Sequence, residues 1–108
     1  MAITDKDQFI AVAGGAKKDL LTKTITRELE QAIEERDTLL AEKEERGFIP
    51  VAEELEDVTS QVIAPVLSEG DAIGAVLILS RDDQDKIGDT EKKLAMTAAS
   101  FLGRQMEG

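Results

Sequence analysis

The sequence predicts a single domain, spanning residues 1–108, of mixed α and β structure, in which a sheet carries helices on both faces. Three observations lead there. Residues 73–79, IGAVLIL, are apolar without a break, as expected of a central strand covered on both sides. The stretch VTSQVIAPVLS, residues 58–68, is rich in β-branched residues and turns into that run through Glu69-Gly70-Asp71, so the two form a hairpin. Residues 27–36 and 90–106 instead repeat their apolar positions at helical spacing.

The elements follow in order. ITDKDQFIAVAGG reads as a β-hairpin, with Ile3 ending one strand, Asp5-Lys6-Asp7 in the turn, and Phe9, Ala11 and Ala13 alternating with Ile10 and Val12. Met1-Ala2-Ile3 is short for a well-paired strand, which suggests either a domain cut from a longer protein or a strand completed by something outside this sequence. Gly14-Gly15 ends the hairpin, and AKKDLL has the composition of one or two helical turns. Thr24 or Thr26 is a suitable N-cap for RELEQAIEER, with Glu28 and Glu30 in the first turns. Ile25, Leu29, Ala32, Ile33 and Arg36 fall on one face of this helix, which should lie on the sheet with its acidic side outward.

Residues 37–57, and 41–57 above all, are the least defined. TLLA and GFIPVA are strand-like fragments separated by EKEER, Pro50 limits the second to an edge or irregular strand, and EELED is a polar connection. Gly74, near the start of the central strand, permits a bend or a close backbone approach. Asp89 or Thr90 should cap the last helix, which runs to about Gln105 or Met106 with Glu91 in its first turn. Leu94, Ala98, Phe101, Leu102 and Gln105 form one stripe on it; Ala95, Ala99 and Met106 widen the stripe beyond what a sheet contact needs. Ala98, Ala99 and Gly103 are small enough to admit a second helix closely.

Composition removes whole classes of function. The chain has 108 residues, 42% hydrophobic and 33% charged, an ordinary balance for one soluble domain. No stretch is long and apolar enough to span a bilayer, and the first ten residues have no signal-peptide pattern, so a cytoplasmic protein without membrane contact is expected. The formal net charge of −10, with three Phe, no Trp and no Tyr, opposes nucleic-acid binding by this domain itself. With no Cys and no His, thiol chemistry, the usual zinc sites and imidazole catalysis are absent. No enzymatic activity, no catalytic residue, no metal and no cofactor are expected.

Three motifs resemble sites and have plainer explanations. In RDDQDKIGD, taking Asp83 as the first position of a calcium loop puts Asp85 third and Gly88 sixth, but Ile87 and Leu94 stand where oxygen ligands are required. That stretch reads instead as a solvated connection with acidic residues near a helix N-terminus. AGGAKKD could hold an anion on backbone N–H groups but lacks phosphate-loop spacing. The doublets Glu34-Glu35, Glu44-Glu45 and Glu53-Glu54 diverge around a helix rather than converge, and Phe9, Phe48 and Phe101 suit a core or an interface.

FIAVAGGAKKDLLTKTIT, APVLSEGDAIGAVLILSRD and AASFLGRQME together resemble the C-terminal regulatory domains of the stage V sporulation protein T family, AbrB-type transcription factors of endospore-forming bacteria. PV…G…IGAVLIL is in addition a general mark of GAF domains, the small-molecule sensor modules. The resemblance implies an α/β (α+β) GAF-like fold, a central antiparallel sheet with helices on both sides, and assembly through helices. It also implies an N-terminal swapped-hairpin DNA-binding domain and a helix before the first strand, neither of which is in this sequence. GAF-type methionine sulfoxide reduction and tetrapyrrole binding need Cys or His, so neither carries over.

The expected function is therefore a signal-sensing and oligomerising regulatory domain, with DNA contacted only through the separate N-terminal domain. The alternative is a purely structural dimerisation module without a ligand. A homo-oligomer, a dimer in the simplest case, is the expected assembly, and a small molecule of unspecified identity the expected ligand. The candidate interface is Leu94, Ala95, Ala98, Ala99, Phe101, Leu102 and Met106.

Overall fold

Two hairpins and one further strand build a five-stranded antiparallel sheet in a computed structural model that describes residues 1–13, 21, 23–52, 55, 57–81 and 87–106. The strands are β1 (Ala2–Thr4), β2 (Phe9–Val12), β3 (Leu39–Glu42), β4 (Ser60–Ser68) and β5 (Asp71–Ser80), in the spatial order β2-β1-β5-β4-β3. Helix α1 (Arg27–Glu35) and helix α2 (Asp89–Met106) complete the described elements. The uninterrupted apolar run is the middle strand, as its composition requires.

The β4–β5 hairpin pairs in register from Ser60↔Ser80 to Ser68↔Asp71. Its two turn residues, Glu69 and Gly70, both have positive φ, 52° and 89°, the backbone that suits the twist of a two-residue hairpin. Each hairpin carries one irregularity: Ile10 is passed over between Ile3↔Ala11 and Thr4↔Phe9, and Ile73 between Val66↔Gly74 and Leu67↔Ala72. Beside that second bulge β1 comes very close to β5. A Cβ on Gly74 would lie 2.0 Å from the Thr4 carbonyl oxygen, so no larger residue fits between the strands.

Alternation along β4 and β5 sorts the core into two layers. Ile63, Ala75 and Leu77 face α1, where Phe9, Leu29 and Ile33 close over them; Val62, Ala64, Val66 and Val76 face Ala95 and Ala99 of α2. Helix α1 keeps the expected cap: the Thr26 hydroxyl accepts the Leu29 N–H at 3.1 Å, and Glu28 and Glu30 occupy the first turn. Leu29 and Ile33 are buried while Glu28, Glu30, Glu34 and Glu35 are exposed, so the acidic side does point outward.

Two expectations change here. GFIPVA contributes no strand: residues 48–50 have no regular structure, and Val51 and Ala52 sit in a bend, buried in the α1-side core. Pro50 cannot donate to a ladder, and the backbone around it is held by side chains instead. The cap of α2 falls on Gly88 rather than on Asp89 or Thr90: Lys92 N–H bonds to the Gly88 carbonyl at 3.0 Å, and Glu91 Oε1 accepts the Gly88 N–H at 2.7 Å. This is the returning half of a capping box. Residues 14–20, which carry the short helical turns expected in AKKDLL and the anion reading of AGGAKKD, and Asp82 to Lys86 of the calcium-loop stretch lie outside the described residues. Arg81, where that stretch begins, pairs with Asp57 at 2.6 Å.

Candidate functional site

The α1 face carries two adjoining clefts. The first, about 350 Å³, lies between α1 and β3 and is lined by Glu28, Gln31, Ala32, Glu35, Asp37, Thr38, Leu39, Arg46, Gly47 and Ile49. The second, about 330 Å³, is formed by Phe48, Ile49, Pro50, Val51, Ala52, Leu55, Val58 and Gln61. Each is at the lower end of the roughly 300–1,000 Å³ typical of small-molecule sites. Charged and apolar side chains both line the first; the side chains lining the second are apolar except for Gln61. Ile49 belongs to both and forms the wall between them.

That wall is fixed by side chains rather than by a sheet. Gln61, 1% exposed on β4, accepts the Ile49 N–H through Oε1 at 2.9 Å and donates through Nε2 to the Ile49 carbonyl at 2.9 Å. Its carboxamide thereby replaces a neighbouring strand. One residue on, the Thr26 hydroxyl donates to the Pro50 carbonyl at 2.6 Å while capping α1. The strap Phe48–Ala52 is tied in this way to the start of α1 and to β4.

The opposite face presents α2. Of the seven residues expected at an interface, Ala95 and Ala99 are buried against the domain's own sheet, and Ala98 and Leu102 are half-buried beside them. Leu94, Phe101 and Met106 are 54%, 59% and 65% exposed. Leu94 and Phe101 are seven residues apart, two turns along one line of the helix. Ala95, Ala99 and Gly103 thus serve the helix's approach to its own sheet. Gly103 makes the point: a Cβ there would stand 2.1 Å from the Leu67 carbonyl oxygen. Met96 on α2 and Leu67 at the end of β4 are also exposed apolar residues, outside the expected interface set.

Neither cleft was legible in the sequence, because their walls come from α1, β3, β4 and the strap, which are distant along the chain. One signal was present: Gln61 is a long polar residue inside an apolar strand, on the face that points inward. Among the described residues, no group of three or more acidic side chains is placed to hold a metal ion, and no helix is long and apolar enough to cross a membrane.

A five-stranded antiparallel sheet with a helix on each face defines an α+β domain shared with proteins of quite different sequence. The type II free methionine-R-sulfoxide reductase from Thermoplasma acidophilum superposes with a TM-score of 0.68 at 14% identity, over 95% of this chain and 74% of that one. A domain described as part of a two-component sensor histidine kinase protein from Sinorhizobium meliloti 1021 gives a TM-score of 0.60 at 19% identity, over 97% and 75%. At these identities the likeness is one of fold alone.

Sequence narrows the class. Residues 1–107 match the family described as "Stage V sporulation protein T C-terminal, transcription factor", and the chain belongs to that family. Stage V sporulation protein T of Bacillus subtilis (strain 168) is 42% identical over 105 residues, covering 97% of this chain and 57% of the relative. The chain therefore spans little more than half the length of that curated relative.

Proposed function

We propose that this domain is the signal-sensing and oligomerising part of a sporulation transcription factor, a GAF-type module that acts in the cytoplasm. A small molecule would occupy the clefts beside Ile49, and copies of the domain would meet through the outer side of α2. DNA would be bound by another part of the protein, since a net charge of −10 repels a phosphate backbone. A ligand that prefers one arrangement of the subunits would thereby tune DNA binding.

The observation that carries the reading is the exposure of Leu94, Phe101 and Met106 on a helix whose inner side is already satisfied by its own sheet. Leu94 and Phe101 are a little over half exposed, so covering the rest would gain about half of the roughly 1.5–3 kcal/mol that full burial of such a side chain contributes. Light scattering over a concentration series of this chain is the test of association, with a dimer expected as concentration rises. A mass that stays monomeric throughout would overturn it. Sensing is tested separately, by a thermal-shift screen with amino acids and nucleotides, because a ligand of the folded state raises Tm.

The second reading, a structural dimerisation module without a ligand, is favoured by one feature. Gln61, the polar side chain buried at the apolar cleft, already has its amide engaged on both sides by Ile49. A screen in which nothing raises Tm, alongside concentration-dependent association, would select this reading.

A further inference from the structure

We propose that the Gln61 carboxamide is a clasp that links the wall between the two clefts, on one face of the sheet, to the start of α2 on the other. Among the described residues, the strap's backbone at Ile49 has its partners on the Gln61 side chain, an N–H to Oε1 and a carbonyl from Nε2, both at 2.9 Å. Any shift of the Ile49 wall, in either direction, must break those bonds or carry Gln61 with it. Gln61 is buried, so a broken clasp leaves an amide without water to replace its partners. The wall therefore has two states, latched and unlatched, rather than a continuous range of positions.

The other half of the link lies directly behind. Ser60, the preceding residue on β4, points to the opposite face, and its Oγ accepts the N–H of Ile87 at 3.2 Å. Val62, the following residue, packs in the α2-side core together with Ile87 and Ala95. Ile87 is followed by Gly88, the cap of α2. One stretch of β4, Ser60-Gln61-Val62, thus holds the cleft wall with its middle residue and the root of α2 with the two flanking ones. Adjacent strand residues point to opposite faces, so a displacement of this backbone is felt on both sides at once. Shifting Ile49 would also act on α1, because the same strap bonds to the Thr26 cap through Pro50.

The regulatory meaning of the clasp rests on the sensing proposed above, but the coupling itself does not require a ligand and is tested without one. Amide hydrogen exchange of this chain, followed residue by residue under increasing denaturant, reports which amides open together. The expected result is that the Ile49 and Ile87 amides share one sub-global opening, with the same denaturant slope. In Gln61→Met, of similar length and without hydrogen-bonding groups, both should exchange faster by about tenfold or more, the equivalent of one lost buried hydrogen bond.

Acceleration at Ile49 with Ile87 unchanged would refute the link across the sheet. No acceleration at either would refute the clasp. If Gln61→Met does not fold, the unmodified chain still decides: exchange of Ile87 only through global unfolding, with Ile49 opening separately, would overturn the proposal. A failed thermal-shift screen would remove the ligand and leave this coupling standing, so the two ideas fail by different measurements.

Discussion

On the α1 face the sheet is closed by long side chains, Phe9, Leu29, Ile33, Ile63 and Leu77, all almost fully buried. On the α2 face the helix buries Ala95, Ala99 and Gly103 with Leu102 half-buried beside them, while Leu94, Phe101 and Met106 point away. A nine-residue helix that fills its core with large side chains stands off from the sheet, and clefts form where its flank and the strap do not meet. A helix that buries only small residues sits tightly on the strands and has large ones left over. The first arrangement suits a binding face, the second a face that meets another surface.

The contrast can be broken by mutation, and the largest effect is expected at Ala99. Ala99→Glu would put an unpaired carboxylate into the α2-side core, at a cost of several kcal/mol, a large part of the roughly 5–15 kcal/mol that holds such a domain together. Circular dichroism should find a chain without a cooperative melt. A melt within a few degrees of the parent would mean that α2 rides on the sheet more loosely than its small residues indicate.

Leu29→Ala comes next, because it opens a cavity under α1. Urea denaturation should register a loss of about 2–5 kcal/mol. A loss well under 1 kcal/mol would mean the α1 face collapses to fill the space, and the claim of a rigid, large-residue core on that face would fall.

Gly103→Ala sharpens the comparison on the other face. The added methyl would meet the Leu67 carbonyl at 2.1 Å, so the last turns of α2 must shift outward, at about 1–3 kcal/mol. The same denaturation experiment reads this. A neutral result would place α2 farther from β4 than the geometry requires.

Phe101→Glu should disturb the fold least, by less than about 0.5 kcal/mol, since its side chain is largely outside the domain's own core. Its effect should lie in association: sedimentation is expected to find monomers at concentrations where the parent pairs. If pairing persists unchanged, the outer side of α2 is not the meeting surface. If instead the melt collapses, Phe101 is part of the core and the division between the two faces is wrong.

Much of this architecture follows from local pattern. The run at residues 73–79 reads as a strand covered on both faces, and it is the middle one. Thr26 before RELEQAIEER is a cap because a short hydroxyl side chain there reaches back to a free N–H, and it does so. The apolar stripe of α2 was also legible, but not its use. A helical wheel counts Ala99 and Phe101 alike, whereas packing distinguishes them by size and by what lies within reach.

Only the tertiary structure decided that the small residues of α2 belong to the sheet, because the Leu67 carbonyl that excludes a side chain at Gly103 is 36 positions away in the sequence. The same holds for GFIPVA, whose apolar residues suggest a strand. Its backbone at Ile49 and Pro50 is met by the side chains of Gln61 and Thr26, brought together by folding, while Phe48 and Val51 bond to the backbone of Glu45 and Thr26, so the segment becomes a strap and the clefts open beside it. Propensity and periodicity act over a few residues, and the sequence by itself determined the elements that depend on them. Clefts, straps and exposed faces arise where distant elements meet, and what they become is set by shape and by hydrogen-bond partners that no local pattern contains.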